Sequence, residues 1–138
     1  MATMEVTKVL RFSAAHRLAS PALSPAENRR RYGPCHRRHG HNYTLEATVR
    51  GAVDANGMVV DVLVLEQAMR TAVVDLVDHR DLERDVPALA GTVTTGENLA
   101  AAFYRMIDSA LPSGGLVRVA VTETENNRFE YGPAGEEP

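Results

Sequence analysis

Residues Gly33 to Tyr43 read Gly-Pro-Cys-His-Arg-Arg-His-Gly-His-Asn-Tyr. They hold the one cysteine of the chain, Cys35, and three of its five histidines, His36, His39 and His41. Neutral imidazole is the commonest nitrogen ligand for zinc, and a catalytic zinc often takes three protein ligands and keeps one position open. His39 and His41 are two residues apart and run into Tyr43-Thr44-Leu45-Glu46-Ala47-Thr48-Val49, which alternates apolar and polar as a β-strand does. Residues i and i+2 of a strand share a face, so both rings can converge on one point. His36 has the opposite parity and should point elsewhere. Two ordinary histidines on a half-exposed strand would show the same spacing, and a metal site needs a third ligand.

His16 is the candidate for that third ligand. Val6, Leu10, Phe12, Ala14 and His16 share one parity, interrupted by Lys8, so the His16 side chain should be at least partly buried. The common role for such a residue is a hydrogen-bonded core histidine; the incomplete pair elsewhere favours a ligand. Asp78-His79 follows a helical stretch. It can be a histidine at a helix C-terminus, or an acid tuning a histidine for proton transfer. Glu123 continues the apolar stripe Val117, Val119, Val121, where a carboxylate is costly unless paired. It either ends the strand in water or receives a ligand with paired N–H donors. Arg29, Arg30, Arg31, Arg37 and Arg38 make the second half of the 19–40 loop basic, as an anion site would require.

The elements that must position these groups follow from periodicity. A first strand covers 4–18, a long loop 19–40, and a second strand 41–53. Asn56-Gly57 turns the chain. Asp61 caps a helix reaching Val77, with Val62, Leu65, Met69, Val73 and Leu76 on one face. Thr94 and Glu97 fit a capping box for a second helix. Strands at 116–124 and 128–131 close the chain around a turn at Asn126-Asn127, and a polar tail from Gly132 to Pro138 should fray. The fold class is α+β in the order ββααββ. It has a four-stranded antiparallel sheet with two helices on one face, in one domain over 1–138 with its core at about 4–132. Exposed sheet edges invite closure through oligomerisation.

Composition narrows the function. The chain has 138 residues, 44% hydrophobic and 24% charged, with 15 basic and 18 acidic residues for a net charge of -3. That is an ordinary globular balance, with no global signal for nucleic acid or a membrane surface. No apolar run of about 18 residues suggests a span, and the N-terminus does not read as a signal peptide. A lone thiol fits a reducing, cytoplasmic setting.

Five motifs, taken together, resemble the 6-pyruvoyl-tetrahydropterin synthase superfamily, which includes the bacterial 6-carboxytetrahydropterin synthases. They are Phe12-Ser13-Ala14-Ala15-His16-Arg17-Leu18, Cys35 with His39-Gly40-His41-Asn42-Tyr43, Asp78-His79, Thr94-Thr95-Gly96-Glu97-Asn98, and Glu123-Thr124-Glu125-Asn126-Asn127. They occur in the family order and cover about residues 4–132. The resemblance implies a tunnelling fold whose subunits close β-barrels as trimers, often paired into a homo-hexamer. It implies 7,8-dihydroneopterin triphosphate as substrate and zinc on His16, His39 and His41. Cys35 would be the base, favoured as thiolate by the metal and His79. Asp78 and His79 would relay protons. Glu123 would grip the pterin and join the relay, and Thr94 and Thr95 would lie near that pocket.

The Cys-x3-His-Gly-His spacing resembles the 6-carboxy branch, which releases acetaldehyde and serves 7-deazapurine and queuosine synthesis; the pyruvoyl branch usually has five intervening residues. The sequence-based expectation is therefore a 6-carboxy-5,6,7,8-tetrahydropterin synthase, with a 6-pyruvoyl-tetrahydropterin synthase as the alternative. The Thr-Thr-x-Glu-Asn and Glu-Thr-Glu-Asn-Asn segments look as much like the latter. Retention of Cys35 argues against variants that carry glutamate there and act as aldolases. A further alternative is a non-catalytic pterin- or purine-binding protein with a structural zinc, for which Cys35 would be the fourth ligand.

Overall fold

The computed structural model describes residues 2–133, so the tail from residue 134 onward, expected to fray, lies outside the described residues. In chain order the elements are β1 (Met4–His16), α1 (Pro25–Tyr32), a 3-10 turn (Gly33–His36), β2 (His39–Gly51) and α2 (Val62–Met69). The helix continues through a π-helical turn (Arg70–Val74) and a last α-turn (Asp75–Val77). Then come β3 (Arg80–Asp81), α3 (Gly96–Ala110), β4 (Leu116–Thr124) and β5 (Asn127–Tyr131).

β1 and β2 pair antiparallel along their whole length, from Met4↔Gly51 to His16↔His39. The sheet order is β3-β1-β2-β4-β5. The expected four-stranded antiparallel sheet is thus corrected to five strands and a mixed sheet, because β3 runs parallel to β1 beside Ala14 and Ala15. Two residues are too short to show periodicity.

Alternation sorts the side chains. Leu10, Phe12, Leu45, Val119 and Val121 are buried on one face, under Leu65, Met69 and Val73 of the α2 helix and Leu99, Phe103 and Ile107 of α3. Phe12 stacks on Tyr43 at 4.8 Å and meets Phe103 edge-on at 6.0 Å. Burying each such side chain contributes about 1.5–3 kcal/mol. The opposite face carries ion pairs, Glu5 with Arg50 and Arg118, and Arg128 with Glu46 and Glu130.

Two further expectations change. The 19–40 loop contains a third helix, α1. Its capping box has Glu27 N donating to Ser24 Oγ and Ser24 N donating to Glu27 Oε1. Its one buried residue is Asn28, which accepts from Ser20 N and donates to the carbonyls of Ser20 and Leu23. The face of the α2 helix is also out of phase at its ends, where Val62 and Leu76 are exposed. A π turn widens the helix by one residue, which shifts Val77 rather than Leu76 into the core. Among the described residues no helix is long and apolar enough to cross a membrane.

Candidate functional site

The terminal pair of the β1–β2 hairpin is His16↔His39, and the next pair on the same face is Ala14↔His41. Strand periodicity alone therefore gathers three imidazoles at one end of the sheet. Their ring centroids lie 4.6, 5.2 and 4.8 Å apart. One donor atom from each, with a carboxylate oxygen of Glu123, falls within 4.8 Å of all the others.

Hydrogen bonds fix two of the tautomers. His16, 1% exposed, has Nδ1 3.0 Å from the Thr94 carbonyl oxygen and 3.1 Å from its hydroxyl. A carbonyl only accepts, so Nδ1 carries the proton and Nε2 keeps its lone pair. His39 Nδ1 donates in the same way to the Arg37 carbonyl at 2.5 Å. His41 Nε2 lies 2.8 Å from Glu123 but makes no hydrogen bond there. It is the one buried side-chain polar atom without a hydrogen-bond partner among the described residues. Burial holds His41 below the usual histidine range, with its sister histidines adding to the effect and Glu123 opposing it. Contact with His16 holds the Glu123 carboxyl below the usual carboxylate range, against burial and with help from His41 and His39. Burial, then Glu123 and Glu83, push the Tyr43 hydroxyl up, so it stays protonated 3.4 Å from His16 Nε2.

Free imidazole lone pairs converging with a carboxylate, one of them orphaned, fit a divalent metal of the zinc type. Glu123, expected to grip a ligand and to join a proton relay, lies within this cluster. Alternation puts it there, because Val119, Val121 and Glu123 share the face of Phe12, Ala14 and His16; a β-bulge between Thr122↔Arg128 and Thr124↔Asn127 leaves Glu123 without a β5 partner. Thr94, expected as a helix cap near a substrate pocket, is 0% exposed and holds His16. The cap is Thr95, whose hydroxyl accepts from Asn98 N at 3.3 Å.

Asp78 and His79 come together at the β3 edge. Asp78 Oδ1 accepts from Ser13 N at 2.9 Å and lies 3.0 Å from His79 Nδ1. The Ser13 N–H is the first cause of a lowered Asp78 pKa, and His79 adds to it. His79 has φ 60, a left-handed conformation unusual for histidine, fixed by its own N–H donating to Ser13 O at 2.6 Å. The ring is 82% exposed and borders, with His41, Ser13 and Asn42, a cleft of about 480 Å³. The structure thus brings the pair to the edge of the histidine cluster.

It does not bring Cys35 there. Cys35 is exposed in the 3-10 turn and lies outside the cluster, and among the described residues its thiol has no hydrogen-bond partner. A fourth cysteine ligand, as the structural-zinc alternative requires, is therefore not formed. His36 also lies apart, with Nδ1 donating to Leu18 O.

The sequence profile of 6-pyruvoyl tetrahydropterin synthase matches residues 5–134. The chain is 42% identical over 130 residues to 6-pyruvoyl tetrahydrobiopterin synthase of Dictyostelium discoideum, covering 94% of this chain and 96% of that protein. The solved structure of Caenorhabditis elegans 6-pyruvoyl tetrahydropterin synthase is 40% identical and matches with a TM-score of 0.91 over 97% of this chain and 98% of that one. A probable 6-carboxy-5,6,7,8-tetrahydropterin synthase of Halobacterium salinarum is 30% identical over 139 residues, 90% of this chain and 82% of that protein.

Proposed function

Because the chain belongs to the 6-pyruvoyl tetrahydropterin synthase family, whose enzymes are triphosphate-eliminating lyases, we propose that it converts 7,8-dihydroneopterin triphosphate to 6-pyruvoyltetrahydropterin. The observation that carries this reading is the similarity gradient, 42% to a pyruvoyl enzyme against 30% to a 6-carboxy enzyme. The 6-carboxy product, acetaldehyde release and a place in queuosine synthesis, expected from the Cys-x3-His-Gly-His spacing, give way to it. That spacing is a loop length. Cys35 sits in an exposed turn, where two residues more or less cost little.

His16, His39 and His41 are the residues that would hold zinc, which supplies Lewis acidity toward the substrate's side-chain hydroxyls. Thr94 and Arg37 keep two of these rings in the ligating tautomer. In this reading the Cys35 thiolate takes the proton from carbon beside a hydroxyl. The electron pair left behind forms a carbon–carbon double bond as the C–O bond to triphosphate breaks. Tautomerisation of that enol gives one ketone, and a matching proton shift from the other hydroxyl-bearing carbon onto the ring C=N bond gives the second ketone and the tetrahydro level without an external reductant. Asp78 orients His79 for proton transfer. Glu123, 2.8 Å from His41 Nε2, is placed to handle protons beside the cluster as well as to grip the pterin's aminopyrimidine edge. Thr95 is occupied as a helix cap. The separation of Cys35 from Asp78 and His79 supports a site completed between subunits of a trimer-based hexamer.

The test is mass spectrometry of the products formed from 7,8-dihydroneopterin triphosphate, with and without a pterin reductase. The expected products are triphosphate and 6-pyruvoyltetrahydropterin. Acetaldehyde with 6-carboxytetrahydropterin would reinstate the other branch.

A further inference from the structure

A second cleft, of about 700 Å³, lies between the end of β1, α1 and the loop after β3, lined by Arg17, Arg29, Arg38 and Arg84 against one carboxylate, Glu83. That carboxylate is engaged: it accepts from Arg17 N at 2.6 Å and pairs with Arg38, which also pairs with Asp81. Among the described residues the Arg17, Arg29 and Arg84 guanidinium groups have no carboxylate or hydrogen-bond partner. On the outer sheet face, by contrast, Arg50, Arg118 and Arg128 are all paired. Three like charges from three separate segments, left unpaired around one concavity, repel each other unless an anion enters. Guanidinium groups take phosphate oxygens in bidentate fashion.

The cleft opens at the same end of the sheet as the histidine cluster. Arg17 follows His16 and Arg38 precedes His39, and these two histidines close the β1–β2 hairpin. A substrate with its hydroxyls at the cluster carries its phosphate chain only a few atoms away. We infer that this cleft binds the triphosphate arm of the substrate, with Arg17, Arg29 and Arg84 as its unpaired cationic groups. The inference rests on the proposed reaction for the identity of the phosphate donor.

The test is calorimetric titration of the full-length, zinc-loaded protein with inorganic tripolyphosphate and, separately, with dihydroneopterin, which lacks phosphate. Wild type is compared with Arg29→Ala, Arg84→Ala and an Arg105→Ala control outside the cleft. The expected result is a tripolyphosphate Kd weakened about tenfold or more in the first two variants. The control and all dihydroneopterin affinities should be unmoved. Circular dichroism of the variants checks folding. Equal tripolyphosphate binding by wild type and both cleft variants, or none by wild type, would overturn the inference while turnover left the proposed reaction standing. Arginine-dependent tripolyphosphate binding without turnover of dihydroneopterin triphosphate would sink the reaction and leave an oligophosphate site.

Discussion

Thr94 holds His16 from behind with both of its oxygens, the carbonyl at 3.0 Å and the hydroxyl at 3.1 Å from Nδ1. One N–H is shared between two acceptors inside the core. The ring orientation therefore depends on the loop that enters α3, and the histidine cluster is coupled to the packing of a helix that contributes no ligand.

Thr94→Val removes the hydroxyl and keeps the carbonyl and the shape. Loss of such an outer hydrogen bond to a ligating histidine typically costs about 10–100-fold in metal affinity. The lower end is expected here, because the carbonyl acceptor survives. Competition with a chromophoric zinc chelator measures it, and an unchanged zinc Kd would remove Thr94 from the role given to it.

Gly96 sets where α3 can lie. A Cβ at that position would stand 2.0 Å from Phe129 Cδ2 and 2.2 Å from Cε2, so the ring or the helix start must shift. Overpacking of this kind costs typically about 1–3 kcal/mol. Gly96→Ala should lower the thermal midpoint and, by displacing Thr94 and Thr95, also weaken zinc binding. A variant destabilised with intact zinc affinity would show that the Thr94 loop is independent of the helix start.

The histidine cluster was legible because a strand's period of two is rigid: once β1 and β2 pair, His16, His39 and His41 must share a face. What escaped the sequence reading lacks that regularity. Helix α1 buries Asn28 rather than an apolar stripe, so hydrophobic periodicity passes over it, although Ser24-Pro25-Ala26-Glu27 spells its capping box. Thr94 and Thr95 are chemically equal as caps, and only the core position of His16 decides which one turns inward. The direction of Glu123 followed from the Val119-Val121 stripe, and only its missing β5 partner, at a one-residue register shift set by tertiary pairing, was hidden.

Asp78 gives a pH signature. Its folded pKa is depressed by the Ser13 N–H and by His79. Its stabilisation is therefore fully present above the unfolded pKa, about 3.9, and is lost as pH falls through the lower folded value. Asp78→Asn keeps an acceptor for Ser13 but loses the charge. The variant should be less stable by about 1 kcal/mol at neutral pH, a modest figure because the side chain is partly exposed. Urea midpoints from pH 7 to pH 3 should show the gap closing in acid. A gap that stays constant or widens would contradict the assigned charge state.

The last prediction concerns the separation of Cys35 from His79. Within one chain Cys35 is exposed in its turn without a hydrogen-bond partner, while His79 is 82% exposed at the β3 edge and held outward by a left-handed backbone. A base and a relay that face solvent separately can cooperate if each meets its counterpart on a neighbouring subunit. Cys35→Ala and His79→Ala should then each be inactive alone. When co-expressed or unfolded and refolded together, some interfaces would join an intact Cys35 to an intact His79. With random assembly in a closed ring, about a quarter of interfaces qualify, so roughly a quarter of wild-type turnover should return. If both groups served the same intrachain site, mixing would restore nothing, and separately tagged subunits confirmed in one oligomer would make that negative result decisive against a shared site.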